Sequence, residues 1–294
     1  MNAPHLDPTV RHDIVFLFDV TDGNPNGDPD AGNRPRTDDE SGQGLVTDVA
    51  LKRKIRDTLA LAAPGEPRYG IFVEAGHALN PRLEASYTAT GLTLGDKKIT
   101  EDKAAQARAW LCDRYVDLRL FGGVLSVGNT GRLGQIRGPL QVGMARSIDP
   151  VLPTDHTITR VTQTKQADID KGETTEIGSK WTVPYGLYRT ELYYSATRGS
   201  QTGVDTRDLE LLHRCLEMMF DHDRSATRGR LAPRGLYVFS HSDAFGAAPA
   251  HRLLERVHVT RPDTTTPARA FTDYTVSIDD DGLPTGVTLT KLIA

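Results

Sequence analysis

The residues Asp22-Gly23-Asn24-Pro25-Asn26-Gly27-Asp28-Pro29-Asp30 put an oxygen-bearing side chain at every second position. That is the spacing with which a loop wraps a hard cation. Asp22, Asn24, Asn26 and Gly27 match positions 1, 3, 5 and 6 of a calcium loop. The match then fails: Asn33 stands where the bidentate glutamate belongs, and a strand-like run rather than a helix leads in. The alternating Pro and Gly point instead to a stiff loop whose amides and Asn side chains meet something polar. A second chemistry lies in the carboxylates Asp28, Asp30, Asp38, Asp39 and Glu40, which could hold Mg²⁺ for phosphodiester cleavage. No histidine or lysine base accompanies them at a recognisable spacing, and a solvated acidic loop accounts for the same residues. None of the nine histidines forms a His-Glu-x-x-His pattern or a close pair. There is no Gly-x-Ser-x-Gly elbow, and the glycine-rich stretch 131–143 lacks the Gly-Lys-Ser/Thr ending of a nucleotide loop. The pattern favours a binding or scaffolding protein, not an enzyme, with no metal and no cofactor.

The cations suggest what could be bound. The net charge of −4 excludes a uniformly basic protein. It hides an asymmetry: residues 1–50 carry 3 basic and 10 acidic side chains, and residues 51–150 carry 15 and 10. Within the basic part, 126–147 holds Arg132, Arg137 and Arg146 and no acid. Such a stretch can lie along a phosphate backbone without repelling it. Lys52, Arg53 and Arg56 line a helix and offer point-like and forked phosphate contacts. Both sets also read as solvated surfaces neutralised by acids elsewhere in the fold. The Phe/Tyr pairs with which RNA-recognition domains stack bases are absent, so any grip would come from backbone and shape.

The elements that would carry these side chains follow from the hydrophobic pattern. Residues 13–20 are a short apolar run rich in Val, Ile and Phe, which predicts a buried strand. A long loop, 21–44, follows with five Gly and three Pro. Thr47 is the expected N-cap of a helix over 48–62, with Leu51, Ile55 and Leu59 on its apolar stripe. A strand is predicted at 69–74 and a weakly patterned insertion at about 76–99. Thr100 caps a helix over 101–115, and 118–127 is apolar and contains glycine. Residues 139–148 and 183–196 are strand-like, 206–220 is a helix, and 235–240 is a strand. Residues 154–180 are polar with few large apolar side chains, which predicts an extended hairpin or a flexible arm. Short strands and turns end the chain, including a hairpin-like Asp279-Asp280-Asp281-Gly282. The order suits an α+β fold: an antiparallel sheet with helices on one face. At 294 residues one large core is possible without disulfides. Cys112 and Cys215 suit small buried apolar positions in a reducing cytosol. No apolar run approaches the ~20 residues of a membrane span, and no signal-peptide pattern follows residues 14–18, so a cytoplasmic protein without a membrane is expected.

Longer blocks carry a family resemblance. Asn24-Pro25-Asn26-Gly27-Asp28-Pro29-Asp30, then Asn33-Arg34-Pro35-Arg36, then the run from Gly44 through Lys52-Arg53-Lys54-Ile55-Arg56-Asp57 closely resemble the type I-C CRISPR backbone subunits, which belong to the RAMP superfamily (the Cas-seven group). The resemblance continues in Asp117-Leu118-Arg119-Leu120-Phe121-Gly122, in 134–141, in 147–151, at Tyr185-Gly186-Leu187-Tyr188-Arg189, in 221–229 and in 236–241. It implies one domain over 1–294: a modified RNA-recognition, ferredoxin-like palm with a finger-like insertion at about 76–99 and a thumb hairpin at about 154–180. It implies a non-catalytic subunit that binds CRISPR RNA, stacks head to tail with other copies of itself, and presents the guide for pairing with target DNA in antiviral defence. The implied partners are a RAMP-type subunit that processes and caps the 5′ end of the CRISPR RNA, and the large Cascade subunit. By charge and position, the RNA-contacting residues expected are Asn24, Asn26, Arg34 and Arg36 in the first loop; Lys52, Arg53 and Arg56 on the helix; Arg132, Gln135 and Arg137 in the glycine loop; and Gln163, Lys165 and Lys180 in the thumb.

Overall fold

The structure, a computed structural model, describes residues 3–93, 99–125, 133–172 and 174–294. The predicted first strand is β1 (His12–Gly23). Ile14, Phe16, Phe18 and Val20 enter one hydrophobic cluster, and Val15 and Leu17 enter another. Burial on both faces is why its sequence reads as a continuous apolar run. The first loop contains β2 (Gly27–Asp28), β3 (Arg34–Pro35) and β4 (Gln43–Val46). Helix α1 (Asp48–Ala62) follows, and Thr47 caps it by accepting from the Ala50 N–H. Next come α2 (Leu79–Ala89), α3 (Glu101–Arg114), α4 (Val116–Phe121), β5 (Gly122–Val124), β6 (Gln135–Arg137), β7 (Leu140–Val142) and β8 (Ala145–Pro150). Then follow β9 (Thr154–Arg160), α5 (Gln166–Asp170), β10 (Glu176–Tyr194), α6 (Ala196–Thr202) and α7 (Thr206–His222). The chain continues through β11 (Arg230–His241), α8 (Ala250–Leu254), β12 (Val257–Thr260), β13 (Thr275–Ile278) and β14 (Val287–Ile293).

The main sheet is antiparallel, in the order β14-β11-β1-β10-β8-β4. Within it β1-α1-β8-β10-α7-β11 is a strand–helix–strand–strand–helix–strand unit with its strands ordered β11-β1-β10-β8. That is the ferredoxin-like arrangement of an α+β fold. Helices α1 and α7 cover one face: Leu51, Ile55 and Leu59 join Leu209, Leu212, Leu216 and Met219 around Phe16 and Phe18. On the other face Leu253, Leu254 and Val257 cover Val15, Leu17, Tyr237 and Phe239. The β1–β11 register slips between Leu17 and Phe18, leaving Arg234 as the extra residue. Its Nε lies 2.9 Å from the buried Asp19 carboxylate.

A second hydrophobic cluster reaches from Phe72 to Ile136 and packs Leu83 and Tyr87 of α2 against Ala104, Ala107 and Leu111 of α3. Helix α4 ties it to the sheet layer with two buried charges. Arg119 makes a forked contact with Asp208 of α7 at 2.7 and 2.8 Å, and donates to the carbonyls of Arg68 and Cys112. Asp117 accepts from Arg56 of α1 at 3.0 Å and from the N–H groups of Phe72 and Val73. Those two N–H groups explain why the strand predicted at 69–74 does not form. Its donors go to a carboxylate, and only a single bridge, Gly70 to Tyr115, remains. The expected hairpin at Asp279–Gly282 is also absent, because the strands it links belong to different sheets: β13 pairs with β12, and β14 pairs with β11.

Strand β10 has two halves. From Val183 onward it lies in the sheet beside β1. From Glu176 to Thr182 it pairs only with β9, which is exposed along its whole length. Residues 154–182 thus form a ribbon that extends the β8–β10 connection away from the sheet, with α5 in its far turn.

Candidate nucleic-acid interface

The first loop folds on its own hydrogen bonds. Asn24 is 1% exposed; its Nδ2 donates to the Asn33 carbonyl at 2.7 Å, and its N–H donates to the Thr227 carbonyl at 2.8 Å. The Asn26 Oδ1 accepts from the N–H of Thr47, the α1 cap, at 2.9 Å. A Cβ at Gly27 would stand 1.9 Å from the Asn33 Oδ1 and 2.9 Å from the Asn33 carbonyl oxygen, so a larger residue there would displace Asn33. Asp28 receives Arg36 at 3.0 Å. Of the four residues expected to meet RNA in this loop, only Arg34 is exposed and without a carboxylate partner among the described residues. Its guanidinium carbon lies 5.6 Å from the centre of the Trp181 ring, at the root of the ribbon.

The helix cations divide in the same way. Lys52 pairs with Asp48 at 3.0 Å and lies over the Phe121 ring. Arg56 pairs with the buried Asp117 and lies over the same ring. Both therefore face the protein. Arg53 is 68% exposed, with a loose contact to Asp57 at 3.6 Å. Beside it Lys54 is buried and in contact with Asp223, which also receives Arg228 at 3.3 Å. Burial pulls the Lys54 ammonium below the ordinary lysine range, with Arg228 and Arg53 adding to the effect and Asp57 opposing it. Arg53, Lys54 and Arg228 thus form a cationic cluster next to the first loop, where Arg228 also donates to the Pro25 carbonyl at 3.4 Å.

Gln135 and Arg137 are exposed on β6 and line a groove of about 280 Å³ with Arg108, Cys112 and Gln201. Arg132 lies outside the described residues. On the ribbon, the Gln163 Nε2 donates to the Thr175 carbonyl at 2.5 Å. Lys165 is exposed and Lys180 half-buried, each without a carboxylate partner among the described residues. The structure thus brings Arg34 to the ribbon root and Arg53 to a cluster beside the loop, whereas it turns Asn24, Asn26, Arg36, Lys52 and Arg56 to internal partners. The sequence reading missed Trp181, Lys54 and Arg228. Trp181 is a large aromatic in an otherwise polar segment, which was an available signal; nothing in the spacing announced the Lys54–Asp223–Arg228 contact.

Two of the first-loop acids, Asp28 and Asp38, are engaged within the loop or by Arg146. The Asp38 carboxyl is held well below the usual carboxylate range by Arg146 and by the N–H groups of Ser41 and Glu40. Among the described residues, no three His, Cys, Asp or Glu side chains gather closely enough to hold a metal ion. Also among them, no helix is long and apolar enough to cross a membrane.

Fold and surface together define a ferredoxin-like α+β protein with a projecting β-ribbon and a cation-bearing loop at the ribbon root. The sequence matches the model of the family described as CRISPR-associated protein Cas7 over residues 10–279, and the chain belongs to that family. A Haloferax volcanii protein named CRISPR-associated protein Cas7 is 28% identical over 251 residues, which cover 78% of this chain and 69% of that protein. Two solved structures are similar at lower identity. A chain of a "CRISPR RNA-guided surveillance complex, pre-nicking" is 15% identical with a TM-score of 0.49, covering 78% of each chain. A chain of another CRISPR RNA-guided surveillance complex is 16% identical with a TM-score of 0.45, covering 78% of this chain and 68% of that one.

Proposed function

We propose that this chain is the CRISPR-RNA-binding backbone subunit of a type I-C Cascade surveillance complex, with no catalytic step of its own. Membership of the Cas7 family supports the reading. The observation that carries it is the ribbon: β9 exposed along its whole length and β10 exposed from Glu176 to Ser179, continuous with a core strand and set at its root beside Arg34, which has no carboxylate partner among the described residues. An isolated two-stranded ribbon is marginally stable in water, so such an arm is suited to being completed by a ligand or a neighbour. The type I-C assignment rests on the sequence blocks in the first loop and α1.

A backbone that accepts any guide sequence cannot read bases, so it grips phosphates and sugars. Selection of the target is left to guide–target pairing. Weak, identical sites along one RNA add up through multivalency. Head-to-tail contacts between copies are heterologous, so they build a filament whose length the RNA and the capping partners set.

The test is size-exclusion chromatography with absorbance at 260 and 280 nm, with and without a CRISPR RNA. A large RNA-bearing species that collapses after ribonuclease treatment is expected. A nucleic-acid-free species of unchanged size would overturn RNA binding by this chain alone. RNA cleavage in Mg²⁺ that disappears in Asp28→Ala or Asp38→Ala would overturn the non-catalytic part.

A further inference from the structure

We infer that Asn26 and Asn24 serve RNA binding at a distance, as positioning residues for a single exposed guanidinium, that of Arg34, which the first loop holds over Trp181. The inference rests on the RNA-binding reading and refines it by separating contact from support within one motif.

The Asn24 side chain is buried, and the Asn26 Oδ1 turns toward the start of α1. The Asn24 Nδ2 holds the Asn33 carbonyl, the residue immediately before Arg34. The Asn26 carbonyl accepts from the Arg36 N–H at 3.1 Å, two residues after Arg34. The Asn26 side chain is in turn held by the N–H of Thr47 at the start of α1. Both ends of the short strand that presents Arg34 are therefore pinned, one by the Asn24 side chain and the other by the Asn26 main-chain carbonyl, whose place the Asn26 side chain sets through the Thr47 N–H; the pins lead back to α1 and to the Thr227 carbonyl. The left-handed backbone of Asn33, at φ 63°, turns the chain between them.

Arg34 is exposed, yet its guanidinium lies over an indole. A guanidinium stacked on an aromatic face keeps a fixed plane and leaves its N–H edge free for a phosphate. Trp181 belongs to the ribbon half of β10, opposite Asp155 of β9. The Arg34–Trp181 contact is thus where the rigid loop meets the unpacked arm, and an RNA phosphate at Arg34 changes the surroundings of that indole.

The chain has two tryptophans. Trp110→Phe leaves Trp181 as the sole reporter, far in sequence from Trp110 on α3. Titrating that protein with a short single-stranded RNA should change the Trp181 emission saturably. Arg34→Ala should abolish the change and lower the slope of log affinity against log salt by about 0.7, one phosphate's share for a single strand. Asn26→Ala removes the Thr47 bond that sets the loop and should weaken binding by about tenfold, the share of a misplaced Arg34–phosphate contact. Asn26→Asp keeps the acceptor for the Thr47 N–H, at a helix N-terminus that favours a negative charge. It should bind within about twofold of the parent. A direct asparagine–phosphate contact predicts the reverse order, with Asn26→Asp weakest through repulsion. RNA that co-elutes with the protein while Trp181 stays silent, or an Asn26→Asp affinity below that of Asn26→Ala, overturns the inference and leaves the RNA-binding reading standing. Failure of the unaltered chain to retain RNA in the same chromatography overturns both.

Discussion

Strand β10 passes through two environments that share one backbone. In its sheet half, Tyr188, Leu192 and Tyr194 are buried in the main cluster between β1 and the helices. In its ribbon half, Ile177 is 74% exposed, and Ile158 on β9 is 49% exposed. A fully buried aliphatic or aromatic side chain contributes about 1.5–3 kcal/mol by leaving water. The ribbon gains almost none of this, so its order rests on its root and on whatever binds it. The sheet half supplies stability, and the ribbon half is free to make contacts without disturbing it.

The largest effect that would sharpen this contrast lies where α4 meets α7. Asp208→Ala strands the buried Arg119 charge and should cost about 3–5 kcal/mol in urea unfolding. A loss under 1 kcal/mol would mean that water reaches Arg119. Next comes Leu212→Ala in the main cluster, expected to cost about 2–5 kcal/mol by the same measurement.

A pH effect of middle size comes from His213, buried beside His5 and His12. Burial lowers its pKa from 6.5 to about 3, with those two histidines adding to the shift. Between these values the unfolded chain binds the extra proton. The stability contribution is therefore full above pH 6.5 and declines as pH falls toward 3. From pH 6.5 to 5 the decline is about 1–2 kcal/mol. His213→Leu should remove that part of the slope, and parallel profiles for the two proteins would clear His213 of the effect.

The smallest effect is expected in the ribbon. Ile177→Ser should change the unfolding free energy by no more than about 0.5 kcal/mol. A cost above 1 kcal/mol would break the comparison by showing that the ribbon is packed in the free chain.

Much of this fold was legible in the sequence. The β1 run, the Thr47 and Thr100 caps, the stripe of α1 and the helices α3 and α7 are local signals, and the structure has each of them. Helix α2 was not visible, because its pattern is short and much of its contact surface on α3 is alanine. The predicted strand at 69–74 failed because its donors go to Asp117, some 45 residues away. The candidate site was legible as a set of residue types but not as a set of roles. Asn24 and Asn26 stand out in any reading of the motif, and nothing local says that they hold the loop together. Trp181 had no local role until the fold set Arg34 over it.

The sequence by itself determined the apolar run of β1, the helix starts, the polar composition of the ribbon and the motif blocks of the Cas7 family. These depend on neighbours a few residues apart, where dihedral preference and hydrophobic period act. Only the tertiary structure decided which cations remain available. Arg56 is taken by an aspartate 61 residues away, and Arg119 by one 89 residues away, while Arg34 meets an indole and, among the described residues, no carboxylate. Charge pairing depends on distance through space, and sequence spacing does not specify it until the sheet has brought its strands together.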